Sequence, residues 1–259
     1  MLNYIRAEIY KLLRRPYTYV CLGVMLALEA IFASMFAFHN AHSLATPFGG
    51  AIINIVDLGA VGFCTCLLTG DIVFAAQYKN STLKNEVSFG LSRARIYLGK
   101  FLAQTLLSVA YLVVMMAFFL GLCAVCLPME SGAGFYSASE ALTIVGYFLA
   151  VGLPLWIGGQ AVMSMCLFLV NGEMAGSFLY VGVVFVLNSV LEVMGLIIGG
   201  SAGKLLLKVI QYFPGPMLNG AKSVVGNWEY LGQAWIVGAF WVAVCTAVGL
   251  YGFHRKEIK

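Results

Sequence analysis

The stretch Gln77-Tyr-Lys-Asn-Ser-Thr-Leu-Lys-Asn-Glu-Val-Ser-Phe-Gly-Leu-Ser-Arg-Ala-Arg-Ile-Tyr-Leu-Gly-Lys100 carries five of the fifteen Lys and Arg residues in this chain. Apolar blocks flank it on both sides, residues 53–76 before it and 97–127 at its end. A hydrocarbon layer about 30 Å thick needs roughly 20 helical residues to cross it, and each block reaches that length. Neither block alternates polar and apolar residues, and lipid obliges a backbone to hydrogen-bond within itself. Both therefore read as membrane-spanning helices joined by a charged loop.

Four further blocks of this kind occupy residues 17–38, 141–170, 174–199 and 233–253. Across all 259 residues, 61% are hydrophobic and 10% charged, with a mean hydropathy of +0.92. A soluble domain carries about a quarter charged residues, so the main solvent of this chain is lipid. The expected fold is an all-α integral membrane protein, one six-span domain over residues 1–259. The blocks at 97–127 and 141–170 exceed a simple crossing, which predicts tilt or extension beyond the membrane. The run from Tyr17 to Phe38 is too long for a cleaved signal and reads as the first span.

The cations orient these spans. Arg6, Lys11, Arg14 and Arg15 precede the first, the opening stretch follows the second, and Arg255, Lys256 and Lys259 follow the last. That places twelve cations on one side against Lys204, Lys208 and Lys222 on the other, so both termini are expected in the cytoplasm. Residues 1–16 read as an interfacial helix on that side. Leu2, Ile5, Ile9, Leu12 and Leu13 are spaced for one apolar face, and Pro16 is expected to end the helix. Residues 200–232, between spans 5 and 6, read as an extracytoplasmic surface or re-entrant helix pair broken at Phe213-Pro-Gly-Pro216.

Several chemistries are excluded or disfavoured. There is no Walker A motif, so this chain cannot hold ATP by the P-loop route, and there is no HExxH. His39, His42 and His254 fall outside the spans, and no set of His or paired acids converges at depth. The seven cysteines lie in apolar blocks, and Cys123-Ala-Val-Cys126 has no second pair or nearby His, so packing explains them best. No catalytic, metal or cofactor site is expected in this chain, and no nucleic-acid partner. Gly172-x-x-x-Gly176 and Gly195-x-x-x-Gly199 allow close helix approach, within the chain or between copies.

Acids inside the spans are the remaining chemistry. Glu29 falls near the middle of span 1, Asp57 and Asp71 near the two ends of span 2, and Glu192 inside span 5. A charge at helix centre costs roughly 2.5–3.5 kcal/mol, and no Lys or Arg lies at matching depth. Glu29, Asp57 and Glu192 are therefore candidates to line a substrate pathway. The alternative for Glu29 and Glu192 is a neutral carboxyl bonded to a neighbouring helix. Asp71 is expected to sit at headgroup level.

Within the opening stretch, Asn80, Ser81 and Thr82 supply helix N-caps, and Leu83, Val87 and Leu91 form a stripe at i, i+4 and i+8. Lys84 and Glu86 lie off the stripe, Gly90 permits a turn, and Ser92 can cap the next helix. Such a helix can dock in a partner's groove or lie on lipid.

The run Tyr-Lys-Asn-Ser-Thr-Leu-Lys-Asn, followed by Gly-Leu-Ser-Arg and Ile-Tyr-Leu-Gly-Lys, resembles the segment between spans 2 and 3 of bacterial type-2 ABC exporter permeases, such as those of bacitracin and lantibiotic-immunity exporters. Thr82, Leu83, Lys84, Asn85, Gly90, Ser92, Arg93 and Lys100 match the family pattern, while Gln77 stands where an acid is usual. The resemblance implies that this segment is the helix that couples to a separate ATPase, with Val87 and Leu91 on its docking stripe. It further implies ATP and Mg on that ATPase, a second permease copy or relative, a lipid setting, and outward movement of an antimicrobial peptide, lipid or drug. Two other classes remain open: a non-transporting sensor or assembly factor, and a proton-coupled secondary transporter.

Overall fold

The computed structural model describes residues 1–259 apart from 42–45, 58, 60, 80–81, 130–135, 171 and 257–259, and it describes the backbone alone at 41, 55, 57, 75–79, 82 and 173. The described residues form helices and turns, with no strand among them. In chain order the helices are α1 (Leu2–Leu13), α2 (Pro16–Ala41), α3 (Phe48–Asp57), α4 (Val61–Lys79), α5 (Thr82–Ser88) and α6 (Arg93–Cys126). There follow α7 (Ala138–Leu169), α8 (Glu173–Val181), α9 (Leu187–Ile198), α10 (Gly200–Ile210), α11 (Pro214–Gly220) and α12 (Trp228–Arg255). A π-helical turn, Gly182–Val186, joins α8 to α9 into one span.

Among the described residues, five helices, with the α8–α9 span counted as one, are long and apolar enough to cross a membrane. The second expected block is divided instead, ending one helix at Asp57 and restarting at Val61. Averaged hydropathy runs straight through such a break because the residues on both sides are apolar. The amino-terminal boundary also shifts. The first helix stops at Leu13, and Pro16 opens α2 rather than closing α1. Proline suits that first position, where a missing N–H leaves no intrahelical bond unmade.

Helix α7 is the central post. It packs on α3, α4, α6, α8, α11 and α12, and about half of its spanning stretch is buried. Glycine allows a close backbone approach here: a Cβ on Gly238 of α12 would lie 2.5 Å from the Pro154 carbonyl oxygen of α7. One glycine of each small-residue pair in span 5 packs within the same chain. A Cβ on Gly176 would meet Leu167 of α7, and one on Gly195 would meet Leu207 of α10. The α9–α10 hairpin turns at Gly199 and Gly200, both at φ +59°.

A buried amide cluster ties three helices together without charge. Gln160 Nε2 of α7 donates to Thr69 Oγ1 of α4 at 3.1 Å. Ser164 Oγ donates to Gln104 Oε1 of α6 at 2.8 Å, and Gln104 Nε2 donates to Gln160 Oε1. Each of these four side chains is at most 1% exposed. Away from water, such a satisfied network fixes how the three helices meet.

Candidate coupling site

One end of the bundle gathers the cationic segments. Arg93, at the start of α6, donates to the carbonyls of Phe253, His254 and Lys256 at 2.6, 2.7 and 2.9 Å. Lys256 in turn donates to Phe168 and Val170 at the end of α7, at 2.9 and 2.7 Å. Arg15 donates to the Ile72 carbonyl of α4 at 2.8 Å. The carbonyls held by Arg93 and Lys256 belong to helix C-termini, which leave carbonyls without partners and carry partial negative charge, so cations suit them. Arg93, expected to contact an ATPase, has its guanidinium committed to the end of α12.

Between these clamps lies a charge cluster shared by α1, α5 and α6. Lys100 Nζ of α6 sits 3.4 Å from Glu8 Oε2 of α1 and 3.9 Å from Glu86 Oε1 of α5. Lys11 of α1 is 2.6 Å from Glu8 Oε1 and 3.8 Å from Glu86 Oε1. Tyr4 donates its hydroxyl to Glu86 Oε2 at 2.9 Å. The set holds two acids and two cations, so its net charge is zero. Lys100 and Glu8 are each only 3% exposed, whereas Lys11 is 48% exposed.

Burial alone raises the Glu8 carboxyl, but Lys100 and Lys11 outweigh it and hold it below the ordinary carboxylate value. The Tyr4 hydroxyl is pushed upward, first by burial and then by the carboxylates of Glu8 and Glu86, so it stays a donor. Tyr4 packs a ring edge against Gly99, where a Cβ would come within 2.4 Å of its ring. The amino-terminal helix is thus bolted to α6 through Tyr4, Glu8 and Leu12. Of its expected apolar face, Ile5 and Ile9 are partly buried and Leu12 is buried, whereas Leu2 and Leu13 are exposed.

Helix α5 closes with a Schellman turn: Gly90 N–H reaches the Val87 carbonyl and Leu91 N–H reaches that of Glu86. Gly90 takes φ +81° there, a left-handed conformation that glycine adopts without steric cost. Ser92 then caps α6 by accepting from the Arg95 amide. The stripe of Leu83, Val87 and Leu91, expected to face a partner, packs instead against the chain's own core. The outward face consists of Lys84, Asn85, Ser88 and Phe89, with Phe89 87% exposed. Asn80, Ser81 and the Thr82 side chain lie outside the described residues.

Of the expected pathway acids, Glu29 and Glu192 occupy different places. Glu29 lines a cavity between α2, α4, α6 and α7. Glu192 is exposed on α9, and the Asp57 side chain lies outside the described residues. Asp71 lines a groove of about 510 Å³ between α4 and α8, with Leu67, Met174, Ser177 and Phe178.

Sequence reading missed Glu8 and the pairing of Glu86 with Lys100. A usable signal existed: Ile5, Glu8 and Leu12 share a helical face, and an acid on an apolar seam needs a cation opposite it.

Comparison with curated proteins gives no match. Residues 4–172, from α1 through the end of α7, match the family model described as ABC-2 family transporter protein. The matched span contains the whole charge cluster and α5. Members of this family are the non-catalytic membrane permeases of ABC transporters, and in general they work with an ABC ATPase. This multi-pass chain belongs to the ABC-2 transporter family.

Proposed function

We propose that this chain is the permease subunit of an ATP-driven exporter, lying in the bacterial cytoplasmic membrane with both termini inside. Its ATP and Mg are held by a separate ATPase subunit. The twelve-to-three division of cations supports this orientation. Two permease copies, identical or related, meet across a pathway. The substrate is an amphipathic molecule, such as an antimicrobial peptide, lipid or drug, moved out of the cell or its membrane.

The observation that carries this reading is the two-sidedness of α5. Outward it offers Lys84, Asn85 and Phe89; inward, Glu86 joins Lys11, Tyr4 and buried Lys100. A push on α5 therefore reaches α1 and the long helix α6 through rigid, charge-paired contacts, which is what a two-state transporter needs to bias its arrangements. Phe89→Asp with Lys84→Glu should leave membrane insertion intact yet abolish both co-purification of the ATPase and substrate-stimulated ATP hydrolysis. Retention of both activities would remove the coupling role from α5.

A further inference from the structure

The cavity beside Glu29 lies wholly within one copy of the chain. It encloses about 300 Å³ between α2, α4, α6 and α7, the lower end of the range for small-molecule sites. Met115, Met116, Phe119 and Phe148 form much of its wall, with Trp156 across from α2. Leu28, on its rim, is 57% exposed, so the cavity opens on the flank of the bundle, where a ligand dissolved in lipid can enter.

Two residues lining this apolar space each carry a buried polar atom with no partner among the described residues: Glu29 Oε2 and Trp156 Nε1. The indole belongs to a side chain only 8% exposed. Among the described residues, Glu29 is the single ionisable side chain in the lining, and no cation stands with it there. An unpaired carboxylate at such depth is costly, and aromatic faces and methionine sulfurs favour a soft positive charge beside them.

We infer that this cavity is an intramembrane binding site for a lipophilic organic cation, an alkyl or aryl ammonium whose charge pairs with Glu29 and whose hydrocarbon body fills the space against Met115, Met116 and Phe148. A carboxylate without a cation meets a cation without a counterion, and each removes the other's desolvation cost. An alcohol of the same chain length gains the apolar contacts but not the ion pair. The inference rests on the exporter reading for its meaning, because it narrows the substrate class to amphipathic cations captured from the bilayer.

The test uses the full chain in lipid nanodiscs, without ATPase or nucleotide. Binding of radiolabelled decyltrimethylammonium is compared with that of decanol, with empty discs as the blank. Saturable binding of the cation, about tenfold or more tighter than the alcohol, is expected for the native chain, and Glu29→Gln should erase that preference. Equal binding of cation and alcohol to the native chain overturns the proposal without recourse to any variant, as does an undiminished preference in a folded Glu29→Gln protein. Stimulation of ATP hydrolysis by the same cation, in the complex with the ATPase, separately reads the exporter role. Binding without stimulation would leave the site standing and count against export.

Discussion

Lys100→Met tests the charge cluster most severely. The ammonium lies 3.4 Å from one carboxylate and 3.9 Å from another. At an effective dielectric of 20, these separations give gross attractions of about 5 and about 4 kcal/mol. Desolvation of three groups offsets most of that, so the pair itself adds little net stability. Removing the lysine alone, however, leaves Glu8 and Glu86 sharing the half-exposed Lys11. Stranding a buried partner in this way costs about 3–5 kcal/mol. Adding Glu8→Gln restores neutrality, with Lys11 opposite Glu86, and should recover about 2–3 kcal/mol of the loss. The four proteins of this double-mutant cycle can be compared by SDS-driven unfolding in mixed micelles, followed by far-UV circular dichroism. If the double variant loses the full sum of the two single losses, Lys100 and Glu8 do not act as one unit and the bolting of α1 to α6 is refuted.

Acidification should loosen the same cluster. The folded Glu8 carboxyl lies below its unfolded value, so its stabilisation is present above about pH 4.3 and fades as pH falls through the lower folded value. Thermal unfolding of the native chain should therefore show a loss of stability below about pH 4.3 that Glu8→Gln diminishes, and identical acid profiles would contradict the assignment. Arg93→Ala should expose the carbonyls of Phe253, His254 and Lys256 and cost about 1.5–3 kcal/mol, visible as faster hydrogen exchange in the last turn of α12. Arg93→Lys should recover only part of this, because an ammonium lacks the planar fork. Gly238→Ala should push α12 away from the Pro154 backbone and cost about 1–3 kcal/mol; an unchanged unfolding midpoint would mean the close approach contributes nothing. Gln160→Leu should strand the Gln104 side-chain NH2 for about 1–3 kcal/mol, measured in the same micellar assay, while Thr69 keeps the Thr65 and Cys66 carbonyls.

The spans were legible where lipid dictates them. The apolar run within Arg93–Cys126 admits no other reading, and Ser92 and Gly90 took the cap and turn their chemistry suggests. The stripe at Leu83 and Val87 was legible as a stripe. Its direction was not, because an apolar face on a short helix fits a partner, a lipid surface or the chain's own core equally well. Long-range pairing was the larger gap. Glu8 and Lys100 are 92 residues apart, and periodicity within α1 says nothing of what stands opposite. Glu29 was visible as an anomalous acid, but the cavity beside it depends on how four helices pack, and on the break in span 2 that averaged hydropathy conceals.

Placing a photo-reactive amino acid at position 89 in native membranes tests the central claim most directly. With the ATPase co-expressed, the account predicts a cross-linked product containing both subunits from position 89 and none from position 228, an exposed tryptophan at the opposite end of α12. An ATPase adduct from position 228 and none from position 89 would contradict it.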